Sequence, residues 1–300
     1  MREERPEDTG RINVTVAECV AQVTATLRAA FGHDAEREAR DLVAAAVEQP
    51  RHWPSTFAAT RLEGADHRRI LAAAGRRVAG APLAYAVGTA PFRHLLLGVD
   101  ERVLIPRPET EYLIDVLLAT PQGRDGGFAI DVGTGSGAIA LALASEGPFL
   151  RVIATDISND ALAVARANAT RCASSLRGAI EFRAGDALAP LHDLSNQVDV
   201  IVSNPPYIAF AEARELPSSV RDWEPPQALV CPEDGLAVSR AIVAGGAALL
   251  RPGGLLAFET DTRRAGRLAD LVRDAGCYED VRVVADLTGR DRFVLATRRS

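Results

Sequence analysis

The chain has no lysine: all 34 of its basic side chains are arginines, and 40 acidic residues outnumber them to give a formal net charge of −6. A protein that depends on phosphate neutralisation for its affinity normally carries a basic surplus, so nucleic acid is disfavoured as the principal partner. The four cysteines lie far apart with no paired spacing, which indicates neither a zinc knuckle nor a disulfide framework. We therefore expect no metal site, and cysteines buried as small apolar side chains.

Long apolar runs are also lacking. No run reaches the roughly 18 residues that a membrane-spanning helix needs, and the N-terminus, Met1-Arg-Glu-Glu-Arg-Pro, has no signal-peptide core. We expect a cytoplasmic protein without a membrane partner. Apolar residues make up 47% of the chain and charged residues 25%, as in ordinary globular proteins. Because 300 residues exceed one typical domain, two domains are expected.

The N-terminal third predicts helices. Residues 1–13 are polar without periodicity and are expected to form a flexible tail. Residues 14–82 carry three helical patterns, the first opened by a capping box at Thr15 and the second interrupted by Pro50. They predict a small helical domain, which either recognises the substrate or only covers the second domain. Residues 83–108 contain short apolar runs and a Pro-Arg-Pro sequence, and they predict a β-hairpin linker.

Residues 109–300 alternate between strand and helix patterns. After a first helix near 112–118, strands are predicted at 128–132, 151–155, 179–183, 198–203, 255–259, 281–284 and 292–297, and helices at 137–145, 158–169, 237–250 and 262–275. Such alternation predicts an α/β fold, a parallel sheet with helices on both faces. Ligands of such sheets bind outside the carboxyl ends of the strands.

A glycine-rich loop follows the first of these strands and opens a helix, with the sequence Asp131-Val132-Gly133-Thr134-Gly135-Ser136-Gly137. Glycines there allow a tight turn and close approach of a ligand to the backbone. The third glycine of a dinucleotide fingerprint would fall at position 138, so the spacing favours a nucleoside ligand without a pyrophosphate. Asp156 ends the next strand, 19 residues after Gly137, where a carboxylate can accept hydrogen bonds from ribose hydroxyls.

Two more strand ends carry polar groups. Asp186 follows the third strand, in a position suited to reading an adenine amino group, although Gly-Asp alone is a common loop sequence. The fourth strand ends in Asn204-Pro205-Pro206-Tyr207. The prolines stiffen this loop and the asparagine both donates and accepts, which suits a planar substrate with its own N–H donors. An ordinary strand-to-loop turn is the alternative for this tetrapeptide alone.

Taken together, the glycine loop and the Asn-Pro-Pro-Tyr tetrapeptide resemble S-adenosylmethionine-dependent amino-group methyltransferases. With segments 102–111, 221–225, 233–236 and 251–254, they resemble the protein N5-glutamine methyltransferases that modify bacterial peptide chain release factors. The resemblance covers nearly the whole chain from about residue 14. It implies a Rossmann-like, seven-stranded class I methyltransferase domain at 109–300, preceded by the helical domain and the β-hairpin linker.

The resemblance also implies the reaction and its residues. S-Adenosylmethionine would be the cofactor, S-adenosylhomocysteine its product, and a monomeric enzyme would methylate the glutamine of a Gly-Gly-Gln sequence in translation termination. The implied cofactor site comprises Asp131, Gly133, Thr134, Gly135, Ser136, Gly137, Asp156, Asp186, Ala187 and Asn204; residues Asn204, Pro205, Pro206 and Tyr207 would hold the glutamine.

The hypothesis for catalysis gives Asn204, Pro205 and Tyr207 the principal roles. Asn204 Oδ1 and the Pro205 carbonyl would accept the two N–H bonds of the glutamine amide, while Tyr207 packs on its face. The chain departs from the family where Ala187 replaces a frequent Trp, where Phe-Glu-Thr-Asp at 258–261 replaces Glu-x-Gly, and where Ala84 replaces Gln. These departures bear on the identity of the substrate more than on the reaction.

Three other functions remain open from the sequence. A glutamine methyltransferase could act on a ribosomal protein or on a small-molecule amide. A DNA adenine N6-methyltransferase shares the tetrapeptide, but it would need base flipping and a basic target-recognition region, and this acidic chain shows neither. A binding module without enzymatic activity is disfavoured by the combination of tetrapeptide and glycine loop.

Overall fold

The computed structural model describes residues 14–232 and 234–300. The tail predicted at 1–13 and Glu233, part of one resemblance segment, lie outside the described residues. The chain divides into two compact units, Met1–Thr89 and Ala90–Ser300. Within the described residues, no helix has both the length and the apolarity to cross a membrane.

From residue 14 onward, the first unit has five α-helices: α1 (Val16–Phe31), α2 (Ala35–Ala46), α3 (Trp53–Thr56), α4 (Gly64–Val78) and α5 (Leu83–Val87). A short 3-10 helix, Gly32–Asp34, joins α1 to α2. The capping box predicted at the start of α1 is present, because the Thr15 hydroxyl accepts from Glu18 N at 3.2 Å and Glu18 Oε2 accepts from Thr15 N at 2.8 Å. Buried side chains of α1, α2 and α4 meet in one apolar core that includes Val23, Leu42 and Ile70.

The helix α5 corrects the sequence prediction, which placed the beginning of the hairpin linker there. Pro82 caps the helix at one end and Gly88 ends it at a φ of +84°. Leu83 and Val87, one turn apart, both pack against the core of the first unit. Tertiary packing of this pair therefore makes a helix of a run whose apolar pattern also suits a strand.

The remaining elements follow in chain order. The strands are β1 (Thr89–Phe92), β2 (Leu95–Gly98), β3 (Gly127–Val132), β4 (Phe149–Asp156), β5 (Ala179–Ala184), β6 (Val198–Ser203), β7 (Ile208–Ala209), β8 (Val230–Cys231), β9 (Leu250–Glu259), β10 (Tyr278–Ala285) and β11 (Asp291–Arg298). The helices are α6 (Pro108–Leu118), α7 (Pro121–Asp125), α8 (Ala138–Glu146), α9 (Asn159–Arg171), α10 (Ser218–Arg221), α11 (Pro226–Leu229), α12 (Ala237–Leu249) and α13 (Ala265–Asp274). Strands β1 and β2 form the predicted hairpin, and β7 pairs with β8.

Seven strands form the central sheet in the order β10-β11-β9-β6-β3-β4-β5. The pairs among β9, β6, β3, β4 and β5 are parallel. The expectation of an all-parallel sheet is wrong for the last strand, since β11 runs antiparallel to both β9 and β10. The connection at 286–290 explains this, because it is too short for the crossover that parallel strands require and long enough for a hairpin.

Apolar side chains cover both faces of this sheet. Ala129 and Ile130 of β3 belong to opposite cores, as the two-residue period of a strand demands. Helices α6 and α8 contribute to one core, and α12 and α13 contribute to the other. The sheet is thereby buried on both faces, and the ends of its parallel strands are left to carry polar groups.

Candidate active site

The carboxyl ends of the parallel strands bring the predicted site residues to one edge of the sheet. Val132, the last residue of β3, lies opposite Thr155 of β4 on one side and Ser203 of β6 on the other. The Ser203 hydroxyl also donates to the Val132 carbonyl at 2.7 Å. The glycine loop, Asp156 and Asn204, which directly follow these positions, are therefore neighbours in space.

The glycine loop adopts a backbone that side chains would disfavour. Gly133, Gly135 and Gly137 have φ values of +75°, +55° and +85°. At Gly133 and Gly135 no atom lies within 4 Å of the place that a Cβ would take, so this side of the loop faces open space. At Gly137 a Cβ would stand 3.3 Å from that of Ala165, which indicates a tight contact with α9 instead.

Asp156 fastens the glycine loop from the next strand. Its Oδ2 accepts from Gly135 N at 2.9 Å and its Oδ1 accepts from Ser158 N at 2.9 Å. Burial raises the pKa of this carboxyl, and the backbone hydrogen bonds oppose that rise. Each carboxylate oxygen retains acceptor capacity beyond these bonds, so Asp156 can hold the loop and bind a hydroxyl at the same time.

Asp131 lies beneath the loop and has no exposed surface. Its Oδ2 accepts from the Thr134 hydroxyl at 2.6 Å and from Ala140 N at 3.1 Å. Burial raises the pKa of Asp131 to about 7, against the effect of these two bonds. The side chain thus shapes the loop from inside. Ser136, also buried, offers its carbonyl to Asn168 Nδ2 at 2.9 Å.

The third strand end differs from the other two. Asp186 is exposed. Ala187 has a φ of +45°, which is uncommon for a residue with a side chain, and its methyl group packs against the core beneath the sheet. The structure thus places both residues at the predicted edge, with a small apolar side chain where the family often has an aromatic ring.

The tetrapeptide lines a cavity of about 200 Å³. The other lining residues are apolar apart from one arginine: Leu104, Arg107, Ile208, Leu216, Val220, Ala228 and Leu229. Pro205 is buried, and Asn204 and Tyr207 are half-buried. Burial raises the pKa of Tyr207 to about 12, with a smaller contribution from the charge of Glu259, so its hydroxyl keeps its proton at neutral pH.

Comparison with known proteins decides the family. The family model described as the methyltransferase small domain matches residues 109–216. A release factor glutamine methyltransferase of Moorella thermoacetica is 41% identical over 91% of this chain and 99% of its own length. The chain belongs to that family. A relative of the same name from Cereibacter sphaeroides is 40% identical over 93% of the chain and 97% of its length.

The fold of this methyltransferase agrees with the same conclusion. The crystal structure of a methyltransferase from Pyrococcus furiosus matches 69% of the chain and 90% of its own length with a TM-score of 0.51, at 19% identity. The predicted Rossmann-like, seven-stranded class I fold with its N-terminal helical region is thereby confirmed. So are the predicted enzyme class and its methyl donor, S-adenosylmethionine.

The residues at the sheet edge fit that donor. Open space beside Gly133 and Gly135 leaves room for a ligand against the backbone, and Asp156 offers carboxylate oxygens to hydroxyl groups. Among the described residues, no group of three His, Cys, Asp or Glu side chains is placed to hold a metal ion. Three of the four cysteines, Cys19, Cys172 and Cys231, are buried, and Cys277 is half-buried.

Residues outside the tetrapeptide hold it in place. Glu224, 2% exposed, accepts from the Arg107 guanidinium and from Ile105 N, which fixes one wall of the cavity. The Arg264 side chain, 5% exposed, donates to Asp261, to Glu212 and to the carbonyl of Asp234. It thereby ties the 208–236 segment, which follows the tetrapeptide, to the end of β9.

Gly235 makes the Arg264 contact possible. Its φ is +83°, and a Cβ there would stand 2.2 Å from the Tyr207 carbonyl and 2.3 Å from Arg264 Nε. No side chain fits between these groups. The glycine in the resemblance segment 233–236 is thus explained by contact with the tetrapeptide itself.

Sequence reasoning gave no role to two residues that contact Asn204. Asn204 Nδ2 donates to Thr110 Oγ1 at 3.1 Å, and the carboxyl of Glu259 lies against both. Both are buried, at 4% and 1% exposure. A signal was available for Glu259, because an acid at the end of a buried strand beside a polar loop is unusual. Thr110 lay within a resemblance segment but carried no signal of its own contact.

Proposed function

We propose that this methyltransferase transfers a methyl group to the side-chain N5 of the glutamine in the Gly-Gly-Gln sequence of a peptide chain release factor. The observation that carries this proposal is Asn204-Pro-Pro-Tyr207 beside the glycine loop in a chain 41% identical to a release factor glutamine methyltransferase over 91% of its length. Asn204 Oδ1 and the Pro205 carbonyl are acceptors on consecutive residues, and they suit an amide nitrogen, which carries two N–H donors.

The chemistry is one of positioning. An amide nitrogen is a poor nucleophile because its lone pair is delocalised into the carbonyl. Asn204 Oδ1 and the Pro205 carbonyl accept its two N–H bonds and aim the lone pair outward, while Tyr207 packs on the face of the amide. S-Adenosylmethionine, when bound, supplies a methyl group activated by the sulfonium. Such alignment can supply several kcal/mol of barrier reduction, so no dedicated general base is needed before transfer. The nitrogen forms its bond to the methyl carbon as the bond from carbon to sulfur breaks, and the surplus N–H proton then leaves to water or to a carbonyl.

We assign the cofactor contacts as follows. The backbone of Gly133 to Gly137 lies against the cofactor, and Asp156 accepts from the ribose hydroxyls. Asp186 reads the adenine amino group from its exposed position after β5. Ala187 borders the adenine without an aromatic ring to stack on it. Asp131, Thr134 and Ser136 contribute by fixing the loop, since their bonds run within it or to its neighbours.

Mass spectrometry of a release factor incubated with the enzyme and S-adenosylmethionine tests the reaction. The expected result is a mass gain of one methyl group on the glutamine of Gly-Gly-Gln. A release factor with asparagine at that position is the matched control and should remain unmodified. Methylation of a ribosomal protein glutamine in the same assay, with the release factor unmodified, would transfer the proposal to that substrate. Methylation of adenine in DNA would refute it.

We further propose that the helical part, residues 14–82, selects the release factor. A glutamine side chain offers little surface by which one protein differs from another, so the cavity of about 200 Å³ cannot choose among proteins. The first unit has a groove of about 690 Å³ along α1, lined by small residues together with Arg28, Arg40 and Glu36. Arg40 is paired with Glu36. Such a groove can accept an apolar segment of a protein, with Arg28 available to an acidic side chain at its edge.

Filling the groove tests this role in the full chain. Ala21→Arg places a long side chain among the lining residues, and Ala30→Arg places the same side chain on an exposed position of α1 that does not line the groove. We expect Ala21→Arg to lower kcat/KM on an intact release factor at least tenfold while leaving activity on a short Gly-Gly-Gln peptide unchanged. Equal losses on both substrates, or none on the protein, would contradict a recognition role.

We also propose that the enzyme acts as a monomer in the cytoplasm, without direct contact to nucleic acid. The net charge of −6 opposes binding to phosphate backbones, and the proposed substrate works with ribosomes. Light scattering coupled to size-exclusion chromatography checks the oligomeric state, and a mass of two chains would contradict it.

A further inference from the structure

The Asn204 carboxamide is held from behind by Thr110, a residue 94 positions earlier in the chain. Thr110 lies in the first turn of α6, which begins with Pro108, and its side chain is buried. Asn204 Nδ2 stands 3.1 Å from Thr110 Oγ1, within hydrogen-bond distance. The carboxamide therefore has one end in contact with buried protein.

Glu259 completes this arrangement from a third element. Strands β6 and β9 run parallel with Ser203 opposite Phe258, so Asn204 and Glu259 follow at the same level of the sheet. The Glu259 carboxyl is 1% exposed, and hydrogen bonding from Thr110 and Asn204 is directed to it. Its Oε2 has no hydrogen-bond partner among the described residues.

Burial raises the pKa of Glu259 to about 7. The hydrogen bond from Thr110, the charge of Arg292 and the hydrogen bond from Asn204 oppose this rise, while the charge of Glu109 adds to it. Once ionised, a carboxylate only accepts hydrogen bonds. Glu259 then accepts the hydrogen bond that the Thr110 hydroxyl donates.

The direction of the remaining bond follows from counting donors. A threonine hydroxyl has one proton. When Thr110 donates that proton in a hydrogen bond to Glu259, the Thr110 oxygen can only accept a hydrogen bond from Asn204. Asn204 must then turn Nδ2 toward Thr110, which leaves Oδ1 on the opposite side. A methyl-accepting amide presents only donors at its nitrogen, so it needs that oxygen. In the reversed orientation, the NH₂ group of Asn204 would face the NH₂ group of the substrate amide, and neither group could accept a hydrogen bond from the other.

We propose that Thr110 and Glu259 are positioning residues that lock the Asn204 carboxamide with Oδ1 toward the substrate nitrogen. This inference rests on the proposed function, because the direction matters only for a substrate that donates. It adds two elements, α6 and the end of β9, to the machinery of the tetrapeptide. Once ionised, the Glu259 carboxylate can only accept, and this fixes the direction of the Thr110 hydroxyl.

The test compares Thr110→Val with Thr110→Ser. Valine keeps the shape of threonine and removes the hydroxyl, whereas serine keeps the hydroxyl. Thr170→Val is the control for the substitution itself, because Thr170 is exposed on α9 and bonds only its own helix at Arg166. Activity is measured as methylation of the release factor glutamine, separated into kcat and KM, with the Kd of S-adenosylmethionine from calorimetry.

We expect Thr110→Val to lower kcat about 10- to 100-fold, the factor that corresponds to one buried donor left unsatisfied. KM and the cofactor Kd should stay within about threefold, and Thr110→Ser should retain kcat within about threefold. Glu259→Gln, which can present either an oxygen or an NH₂ group to Thr110, should lower kcat by a smaller factor, about 2- to 10-fold. Thr170→Val should match the wild type.

A readout without substrate or cofactor comes from NMR of the Asn204 side-chain amide. Its protons should exchange slowly with solvent in the wild type and in Thr110→Ser, and rapidly in Thr110→Val. Unchanged kcat in Thr110→Val, equal losses in the valine and serine variants, or fast exchange in the wild type would each overturn the positioning role. If the wild type methylates no glutamine, the proposed function itself fails. If the wild type is active but the Thr110 variants do not differ from each other, only the positioning role fails.

Discussion

Removal of the Asp156 carboxylate should weaken cofactor binding more than any other single change on the cofactor side of the site. Two effects combine at this residue. Its oxygens are the proposed acceptors for the ribose hydroxyls, and the same oxygens hold Gly135 N and Ser158 N at 2.9 Å. Asp156→Ala therefore removes the contacts to the ligand and also loosens the loop against which the ligand lies.

The size of the effect follows from the number of bonds. Hydrogen bonds to a charged acceptor contribute roughly 1.5 to 3 kcal/mol each, so two ribose bonds set a limit of about 3 to 6 kcal/mol. That corresponds to an increase in Kd of about 10² to 10⁴-fold. Asp156→Asn keeps one neutral acceptor and should fall between the wild type and the alanine variant, near 10- to 100-fold.

Isothermal titration of S-adenosylmethionine into the apo enzyme measures these values. Asp270→Ala is the control, because Asp270 is exposed on α13 and pairs only with Arg273 at the surface. A melting temperature for each apo variant separates loss of binding from loss of fold. A Kd for Asp156→Ala within about threefold of the wild type would refute the assignment of the ribose to this residue.

Three further predictions concern the substrate side and the buried carboxyls. Asn204→Ala should keep the cofactor Kd within a few-fold and lower kcat by orders of magnitude, and near-normal turnover would mean that the amide is held elsewhere. Gly235→Ala should lower the melting temperature and kcat together, because its Cβ meets Tyr207 and Arg264, whereas Gly266→Ala, with open space at its Cβ, should do neither. Asp131 has a pKa raised from 3.8 to about 7, so its stabilising contribution is complete below about pH 4 and is lost as the pH rises through 7. Urea titration of the wild type and of Asp131→Asn measures the two free energies of unfolding. The wild-type value minus the variant value should fall by on the order of 3 kcal/mol between pH 4 and pH 8. A difference that does not change with pH would contradict the raised pKa.

Most of the sheet was predictable because its signals are local. Strands β3 to β6 are short segments rich in apolar residues that end at glycine, at an acid or at Asn-Pro, and the glycine loop follows β3 in the sequence itself. The direction of β11 was missed although the short connection at 286–290 was visible, because the alternation of strands and helices was extended to the end of the chain. Helix α5 was missed because five residues are too few for a periodic pattern.

The inner contacts of the site could not be predicted in the same way. Thr110 meets Asn204 across 94 residues, and Glu259 joins them only because β6 and β9 are paired in one particular register. A shift of one residue would turn Glu259 to the other face of the sheet. Likewise, the sequence placed Asp131 among the cofactor residues, but only the fold shows that its carboxyl points into the loop.

The Arg264 contacts described above have a kinetic consequence. One nearly buried guanidinium joins three stretches of chain through its planar set of donors, which an ammonium group could not match. Its bonds must break together, because a partly detached guanidinium would leave charge without solvent or partner. We therefore expect the stretches held by Arg264 to separate from the end of β9 in a single step. If product release required that step, its rate would set the upper limit of turnover.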